Sequence, residues 1–234
     1  MSFKGQTVLV TGAAGNLGRA VADAFFERGA NLVMLARRRE ELTQAYPSAN
    51  ERRLFVPANL LEQAQVDAAV KAAIERFGRI DVLCNIAGGF RMGTPVHETP
   101  DEVWESMLDL NARSVITMAR AVVPRMLAAG SGRIVNVAAM AALSGKAGMG
   151  AYCASKSATI RLTESMAAEL RDKGINVNCV LPSIIDTPQN RAAMPDADPR
   201  RWVAPAAVAE VIFFLASDAA GAVHGAAIPV VGLS

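Results

Sequence analysis

The chain has 234 residues, with 24 Lys or Arg against 22 Asp or Glu, so its formal net charge is +2. Apolar residues make up 52% of the chain and charged residues 20%, a balance that fills a large core and excludes a disordered protein. The near-neutral net charge, without a basic stripe along the chain, argues against nucleic-acid binding, and no uncharged apolar stretch reaches the ~18 residues of a membrane span.

Short apolar runs alternate with longer helical patterns along the whole chain. The runs TVLV, NLVML, DVLC, RIVNV and INVNCVL are apolar without alternation, as in strands that are buried on both faces of a parallel sheet. Repeated strand–helix–strand units predict a single doubly wound α/β domain over residues 1–234. In chain order, the predicted strands are 6–10, 31–36, 53–56, 81–85, 133–137, 175–181 and 227–231. The predicted helices between them are 16–28, 38–45, 62–77, 101–127, 151–172 and 206–217.

The most polar and proline-rich part of the chain is the segment 182–205. It is too long for an ordinary connection, and loops of this length are usually lids or binding loops. The alternative is a generic proline-rich loop. We predict a substrate lid here and use the name "lid" for residues 182–205 throughout.

A glycine-rich turn follows the first predicted strand and reads TGAAGNLG from Thr11 to Gly18. Glycine lets the backbone turn sharply and approach a pyrophosphate, while the N-terminus of the next helix supplies N–H donors. An ordinary glycine-rich turn is the alternative. The position of the turn at the first strand–helix junction favours nucleotide binding.

Arginines follow the second predicted strand, where Ala36 is succeeded by Arg37. An acidic residue at this strand end binds the ribose hydroxyls of NAD, whereas an arginine suits the 2′-phosphate of NADP. The residues therefore favour NADP(H), with NAD(H) as the second possibility. A solvated basic start to the next helix is the alternative interpretation.

Tyr152 and Lys156 are four residues apart within a predicted helix and therefore share one face. An ammonium beside a phenol favours the phenolate and lowers the pKa of the tyrosine, so the pair is a candidate general acid/base. By spacing alone an exposed surface pair is the favoured interpretation. The dinucleotide-binding turn in the same chain favours the catalytic interpretation.

These motifs together resemble the short-chain dehydrogenase/reductase family over nearly the whole chain. The glycine turn, the segment CNIAGG after the fourth strand, Asn111 in LDLNARS and YCASK follow the family pattern. Asn16 stands at a family glycine, Ile86 at a family asparagine, and Asn59 at an adenine-contacting aspartate. Asn tolerates positive φ better than most residues, which would let Asn16 replace a glycine.

The resemblance implies a seven-stranded parallel sheet and NAD(P)(H)-dependent reduction of a carbonyl or imine-like group in a small molecule. It implies that Tyr152 exchanges the proton, that Lys156 lowers its pKa, and that Asn111 holds a relay water. It also implies a homotetramer or homodimer built on the two long helices. The implied cofactor contacts are Gly12, Gly15, Asn16, Leu17, Gly18, Arg37, Asn59, Leu60, Asn85, Ala87, Gly88, Tyr152, Lys156, Pro182, Ile185 and Thr187.

One departure from the family pattern affects the mechanism. The catalytic serine of the family stands thirteen residues before the tyrosine, and here that position is Ala139. Ser144 is five residues out of register and is a candidate replacement. A dinucleotide-binding protein with little or no turnover is therefore the second hypothesis for function.

A narrower resemblance links the Ala139 region and residues 182–202 to the dihydropteridine reductases, a divergent branch of the family. These also carry alanine at the serine position, reduce a quinonoid dihydropterin and prefer NADH. The resemblance extends the implied substrates to quinonoid molecules.

Cys84, Cys153 and Cys179 are widely spaced and form neither a metal-ligand pattern nor an even disulfide set. We therefore expect no metal and a reducing compartment. The N-terminus enters a strand directly, without a signal-like segment, which favours a soluble cytoplasmic protein with no membrane partner.

Overall fold

The computed structural model describes residues 2–48 and 50–234. Seven parallel strands form one sheet, which confirms the predicted fold class. The side chains of the five inner strands are mostly buried because helices cover both faces, as the continuous apolar runs predicted, whereas the edge strands Arg53–Pro57 and Ala227–Val230 are mostly part-exposed. The strands are β1 (Thr7–Thr11), β2 (Asn31–Ala36), β3 (Arg53–Pro57), β4 (Val82–Asn85), β5 (Gly132–Val137), β6 (Ile175–Pro182) and β7 (Ala227–Val230).

The helices lie on the two faces of this sheet. Successive residues of β1 point to opposite sides, so Val8 and Val10 join one apolar cluster while Leu9 joins the other. The first cluster includes residues of α1 and α8, and the second includes residues of α3 and α5. The helices are α1 (Asn16–Glu27), α2 (Arg39–Ala45), α3 (Gln63–Phe77), α4 (Asp101–Leu108), α5 (Ser114–Ala129), α6 (Gly150–Leu170), α7 (Pro188–Ala193) and α8 (Pro205–Ala216).

The strand order β3-β2-β1-β4-β5-β6-β7 positions the functional site. On one side of β1 lie β2 and then β3, and on its other side lie β4, β5, β6 and β7. Thr11 at the end of β1 pairs with Asn85 of β4 and with Leu35 of β2. In parallel sheets of this kind, ligands bind beyond the carboxyl ends of the strands where the order reverses.

Two predicted segments differ from the structure. The predicted helix 101–127 is divided into α4 and α5 by a π-helical turn, Asp109–Arg113, which carries Asn111. The lid is not loop throughout, because it contains the short helix α7. Thr187 and Pro188 form its start, with the Thr187 hydroxyl accepting a hydrogen bond from the Asn190 N–H at 3.1 Å. None of the described helices is long and apolar enough to cross a membrane.

Candidate active site

A cavity of about 520 Å³ opens at the carboxyl ends of β1, β2, β3 and β4. Its size and position are those of a cofactor site in a doubly wound sheet. Eleven of the predicted cofactor-binding residues line it. They are Gly12, Gly15, Asn16, Leu17, Gly18, Arg37, Asn59, Leu60, Ala87, Gly88 and Thr187.

The glycine turn forms one wall of the cavity and requires glycine at two positions. Gly12 has a φ of +64°, and a Cβ there would lie 3.0 Å from the Cα of Ala87. A Cβ on Gly18 would collide with the carbonyl of Gly12. The first turn of α1 then lines the cavity with N–H groups that have no partner within the helix. These groups and the helix dipole favour an anion such as a pyrophosphate.

Asn16 does not occupy the conformation that the sequence suggested. Among the described residues, only glycines have positive φ. Asn16 therefore replaces the family glycine for a reason other than the tolerance of Asn for positive φ. Asn16 is instead the first residue of α1, in ordinary helical backbone. Its side chain is free to reach out of the turn, and its amide donates a hydrogen bond to Gln189 in the lid at 2.7 Å.

Thr11 ties the turn to the segment that follows β4. Its hydroxyl oxygen accepts hydrogen bonds from the N–H groups of Ile86 at 3.0 Å and Ala87 at 3.1 Å. The backbone after β4 is thereby held against the cavity. Thr11 belonged to the recognised motif, but its role in joining the two segments required the structure.

The ends of β2 and β3 form the other part of the cavity. Arg37 lines it, as predicted, and so does Glu41 from the following helix. The Arg38 guanidinium donates a hydrogen bond to the Glu41 carboxylate at 2.8 Å and offsets its charge. The Asn59 side-chain oxygen accepts a hydrogen bond from the N–H of Leu61 at 3.2 Å, which holds this strand end in place.

Five predicted cofactor-binding residues do not line the cavity, namely Tyr152 and Lys156, described below, and Asn85, Pro182 and Ile185. The Asn85 side chain is directed into the sheet and donates a hydrogen bond to Asn136 at 2.8 Å, so only its backbone remains for a cofactor contact. Pro182 is buried at the end of β6. Ile185 pairs with Val203 at the base of the lid, two residues before Thr187.

Tyr152 and Lys156 lie in the first two turns of α6. The Lys156 ammonium donates a hydrogen bond to the carbonyl of Val137, at the end of β5, at 2.8 Å. A Cβ on Gly88 would lie 3.1 Å from this ammonium, so the lysine reaches the edge of the cofactor cavity. The Tyr152 ring packs edge-on against Phe90, with ring centroids 4.8 Å apart.

The expected lowering of the Tyr152 pKa is not present in this arrangement. Burial raises the pKa of Tyr152 to about 12, with a smaller contribution from the adjacent Cys153. The Lys156 ammonium is itself desolvated, and its burial lowers the pKa of this lysine to about 8. Burial therefore acts against the predicted lowering, and the effect of Lys156 on the tyrosine pKa stays a prediction.

The buried lysine predicts an unusual dependence of stability on pH. Burial lowers the pKa of Lys156 to about 8 in the folded chain, whereas the ordinary lysine value of 10.5 applies when the chain is unfolded. Between these values the unfolded chain binds more protons, so the free energy of unfolding rises with pH from about 8 to 10, by about 1–2 kcal/mol. Below pH 8 both states are protonated and the cost of burying the charge is fully present.

Urea unfolding of the unmodified protein and of Lys156→Met across this pH range measures the effect. As the pH rises, the free energy of unfolding of the unmodified protein is expected to increase relative to that of Lys156→Met. If the free energies of unfolding of the two proteins change with pH in parallel, the lowered pKa of Lys156 is contradicted. The comparison stops near pH 10, because the raised pKa of Tyr152 acts in the opposite direction between 10 and 12.

Asn111 is placed by the π-helical turn and fixes the segment after β4. Its side-chain oxygen accepts the Gly89 N–H at 2.9 Å, and its amide donates to the Gly89 carbonyl at 3.0 Å. The amide also donates to the Ser155 hydroxyl at 2.9 Å. The main-chain carbonyl of Asn111 accepts the Thr159 hydroxyl at 2.8 Å. Asn111 therefore aligns the Gly88 segment with α6, and its relay role stays a prediction.

Ala139 occupies the position that its register predicted. It is buried in a small cluster with Ala141 and Cys153, against which Met149 and Tyr152 pack. Ser144 lies further along the same connection and is exposed. The methyl group of Ala139 thus stands beside the tyrosine where a serine would supply a hydroxyl.

Exposed apolar side chains on two neighbouring loops, which we call the apolar rim, include Phe90, whose ring packs against Tyr152. Phe90 is 51% exposed, and Met92 and Leu143 are also exposed. A hydrogen bond of 2.8 Å from the Gly93 N–H to the Gly148 carbonyl joins the two loops that carry these side chains. The rim is suited to apolar or aromatic ligands.

Several cavity residues were missed by the sequence analysis as binding residues. Leu110 and Ser114 are neighbours of Asn111 within one helical turn, which is the signal that could have found them. Glu41 follows the arginine run by one turn and could have been found in the same way. The missed lining residues are Ala14, Leu35, Ala36, Glu41, Ala58, Leu61, Ile86, Leu110 and Ser114.

Within residues 2–48 and 50–234, no group of three or more His, Cys, Asp or Glu side chains is arranged to hold a metal ion. The three cysteines are free and buried. Burial raises the pKa of the Cys179 thiol to about 11, which keeps it protonated.

Comparison with known proteins places these features in context. The family model described as short chain dehydrogenase matches residues 6–198. The chain is 36% identical to 2-(R)-hydroxypropyl-CoM dehydrogenase of Xanthobacter autotrophicus, covering 95% of this chain and 96% of that protein. It is 35% identical to cis-4-hydroxycyclohexanecarboxylate dehydrogenase of Sinomonas cyclohexanicum, covering 99% and 97%. The crystal structure of NAD+-bound xylitol dehydrogenase superposes with a TM-score of 0.91 at 29% identity, covering 99% of this chain and 100% of that chain.

Proposed function

The chain belongs to the short-chain dehydrogenase/reductase family, and from this premise we propose that it reduces a carbonyl, quinonoid or imine-like group of a small molecule with NAD(P)H. The observation that carries the proposal is the position of Tyr152 and Lys156 on α6. Lys156 reaches Gly88 at the edge of the dinucleotide-sized cavity, and Tyr152 lies between this edge and the apolar rim.

The cofactor, when bound, supplies the hydride, and the protein's residues provide orientation and the proton. A pKa of about 12 keeps the Tyr152 phenol protonated at neutral pH, which suits a proton donor in reduction. As the proton leaves, the Lys156 ammonium one turn away stabilises the phenolate. Asn111 keeps Gly88 and Gly89 in place through its hydrogen bonds to Gly89.

The apolar rim and the relatives support a ketone or a conjugated carbonyl compound as the type of substrate. Two relatives are named as dehydrogenases of a hydroxypropyl and a hydroxycyclohexane compound, and oxidation of such secondary alcohols yields ketones. The exposed Phe90 ring beside Tyr152 offers an apolar face to a flat or conjugated substrate. Simple and conjugated ketones, imines and quinonoid molecules therefore form the panel for the first activity assay.

The experiment is turnover of this panel with NADPH and NADH, followed by cofactor absorbance in both directions. Reduction of at least one class, with loss of turnover in Tyr152→Phe, is the expected result. Tight cofactor binding without turnover on any class would favour the second hypothesis, a dinucleotide-binding protein. The specific observation behind that hypothesis is Ala139, which offers no hydroxyl beside Tyr152.

We also propose that NADPH is preferred over NADH. Arg37 lines the cavity at the end of β2, where Ala36 provides no carboxylate for ribose hydroxyls. Among residues 2–48 and 50–234, the one carboxylate that lines this part is Glu41, which is paired with Arg38. The NAD+ bound by the xylitol dehydrogenase structure makes NADH the alternative.

The substitution Ala36→Asp is expected to weaken NADPH binding about fivefold and to improve NADH binding, because a carboxylate accepts ribose hydroxyls and repels a 2′-phosphate. Fluorescence titration with both cofactors measures the change, with Ala36→Asn as the uncharged control of similar size. Tighter binding of NADH than of NADPH to the unmodified protein would contradict the proposed preference and would agree with the resemblance to dihydropteridine reductases.

A homotetramer or homodimer is proposed for the assembly. Trp104 of α4 and Leu127 of α5 are large apolar side chains that remain more than one-third exposed in the single chain. Apolar side chains of this size on neighbouring helices are typical of interfaces. Light scattering coupled to size-exclusion chromatography measures the state directly, and a monomer would contradict the proposal.

A further inference from the structure

A hydrogen bond joins the glycine turn to the lid across the mouth of the cofactor cavity. The Asn16 amide nitrogen donates to the Gln189 side-chain oxygen at 2.7 Å. Asn16 is the first residue of α1 and lines the cavity, while Gln189 is the second residue of α7. The bond therefore connects a fixed wall of the cavity to the segment that lies over it.

The part of the lid that carries Gln189 is built as one unit. The Thr187 hydroxyl caps α7, and Asp186 receives two hydrogen bonds from the Arg191 guanidinium, at 2.6 and 2.8 Å. The Asn190 amide donates to the carbonyl of Ile185 at 2.8 Å. Because these bonds fix residues 185–191 to one another, a restraint on Gln189 also restrains Thr187.

Thr187 is the residue of this unit that lines the cofactor cavity. Its hydroxyl is already engaged at the start of α7, so its position follows the position of the helix. Holding α7 against the glycine turn keeps Thr187 at the cavity wall. Releasing α7 would move Thr187 outward and open the mouth of the cavity.

We propose that Asn16 and Gln189 form a latch, and that they act as positioning residues which hold the lid closed over bound NAD(P)H and slow its release. The inference rests on the proposed function, since it requires a dinucleotide in the cavity. It also gives a physical reason for Asn16, because the glycine that the family pattern has at this position offers no side chain to the lid.

The chemistry of the pair suits this position. Both side chains are uncharged amides, so they form a hydrogen bond beside a diphosphate without repelling it. A carboxylate at either position would place a negative charge next to the cofactor. The pair is exposed, and one exposed hydrogen bond contributes modestly, which permits opening on each catalytic cycle.

A double-mutant cycle on cofactor release tests the latch. Release of NADPH from its complex is followed by stopped-flow fluorescence for the unmodified protein, Asn16→Ala, Gln189→Met and the double variant. Each single variant is expected to release NADPH about two- to tenfold faster. The double variant is expected to match the faster single variant, because the same bond is lost in all three.

The matched control is Gln44→Met, which makes the same change at an exposed position of α2. It should leave the release rate unchanged, and the thermal midpoints of all variants should stay close to that of the unmodified protein. Gln189→Met, which changes no cavity-lining residue, should also raise the KM for NADPH.

The outcomes separate the latch from the proposed function. If the unmodified protein binds neither NADPH nor NADH, the proposed function fails and the latch fails with it. If the cofactor binds but the effects of the two substitutions on release multiply, or release is unchanged, the latch alone is overturned. Faster NADPH release in each single variant, with no further gain in the double variant and unchanged thermal midpoints, supports both the latch and the proposed function.

Discussion

Replacing Tyr152 by Phe is expected to lower turnover by about 10²–10⁴-fold while leaving the affinity for NADPH nearly unchanged. The substitution removes only the phenolic oxygen, so the packing of the ring against Phe90 is retained. Without this oxygen, the substrate must take its proton from water. The cofactor cavity is lined by other residues, which is why binding should survive.

The second tyrosine of the chain provides the matched control. The Tyr46 hydroxyl donates a hydrogen bond to the carbonyl of Ala13 in the glycine turn at 3.0 Å. Tyr46→Phe removes the same atom from the other side of the cavity. It should alter the KM for the cofactor by a few-fold at most and leave kcat close to the unmodified value. Near-normal kcat in Tyr152→Phe would remove Tyr152 from the mechanism.

Introducing a serine at Ala139 is expected to raise the reduction of simple ketones roughly tenfold or more. A simple ketone concentrates negative charge on one oxygen as hydride arrives, and a second hydrogen-bond donor beside Tyr152 would stabilise that charge. A quinonoid or conjugated substrate spreads the charge over its ring system. Ala139→Ser should therefore change the turnover of such substrates little.

Ala138→Ser is the control for this gain of function. Ala138 is equally buried but belongs to a different cluster, with Ile160, Cys179 and Leu181, on the other side of the strand end from Tyr152. The same hydroxyl placed there should not increase ketone reduction and should cost about 1–3 kcal/mol of stability. Unchanged ketone turnover in Ala139→Ser, with cofactor still bound, would show that the site does not use a donor at this position.

In the lid, the polar and proline-rich composition led to a prediction of loop although the sequence also contains a helix-start signal. Residues 182–205 were predicted as loop because they are polar and rich in proline. Yet Thr187 followed by Pro188 is a helix start, with a capping hydroxyl and a proline in the first turn, and α7 begins there. The contact between Gln189 and Asn16 joins residues 173 positions apart, which no local pattern contains.

The π-helical turn at Asn111 illustrates the opposite case, in which the local pattern indicated a single helix. Residues 101–127 have continuous helical periodicity, but the tertiary structure interrupts them at Asp109–Arg113. The hydrogen bonds of Asn111 to Gly89 and to Ser155 and Thr159 of α6 accompany the irregular turn. Such turns occur frequently at functional sites, where side-chain placement outweighs helix regularity.

The sequence by itself determined the sheet, and it predicted the glycine turn as a cofactor site, Tyr152 and Lys156 as a catalytic pair and Ala139 at the serine register. Each of these depends on residue type and spacing along a regular element, which the chain carries locally. Only the tertiary structure decided the burial of Tyr152 and Lys156, the placement of Asn85 within the sheet and the contact between lid and turn. A pKa depends on how much water and charge surround a group, and this follows from packing of distant segments. Burial therefore acts against the expected direction at Tyr152, although the spacing to Lys156 was as predicted.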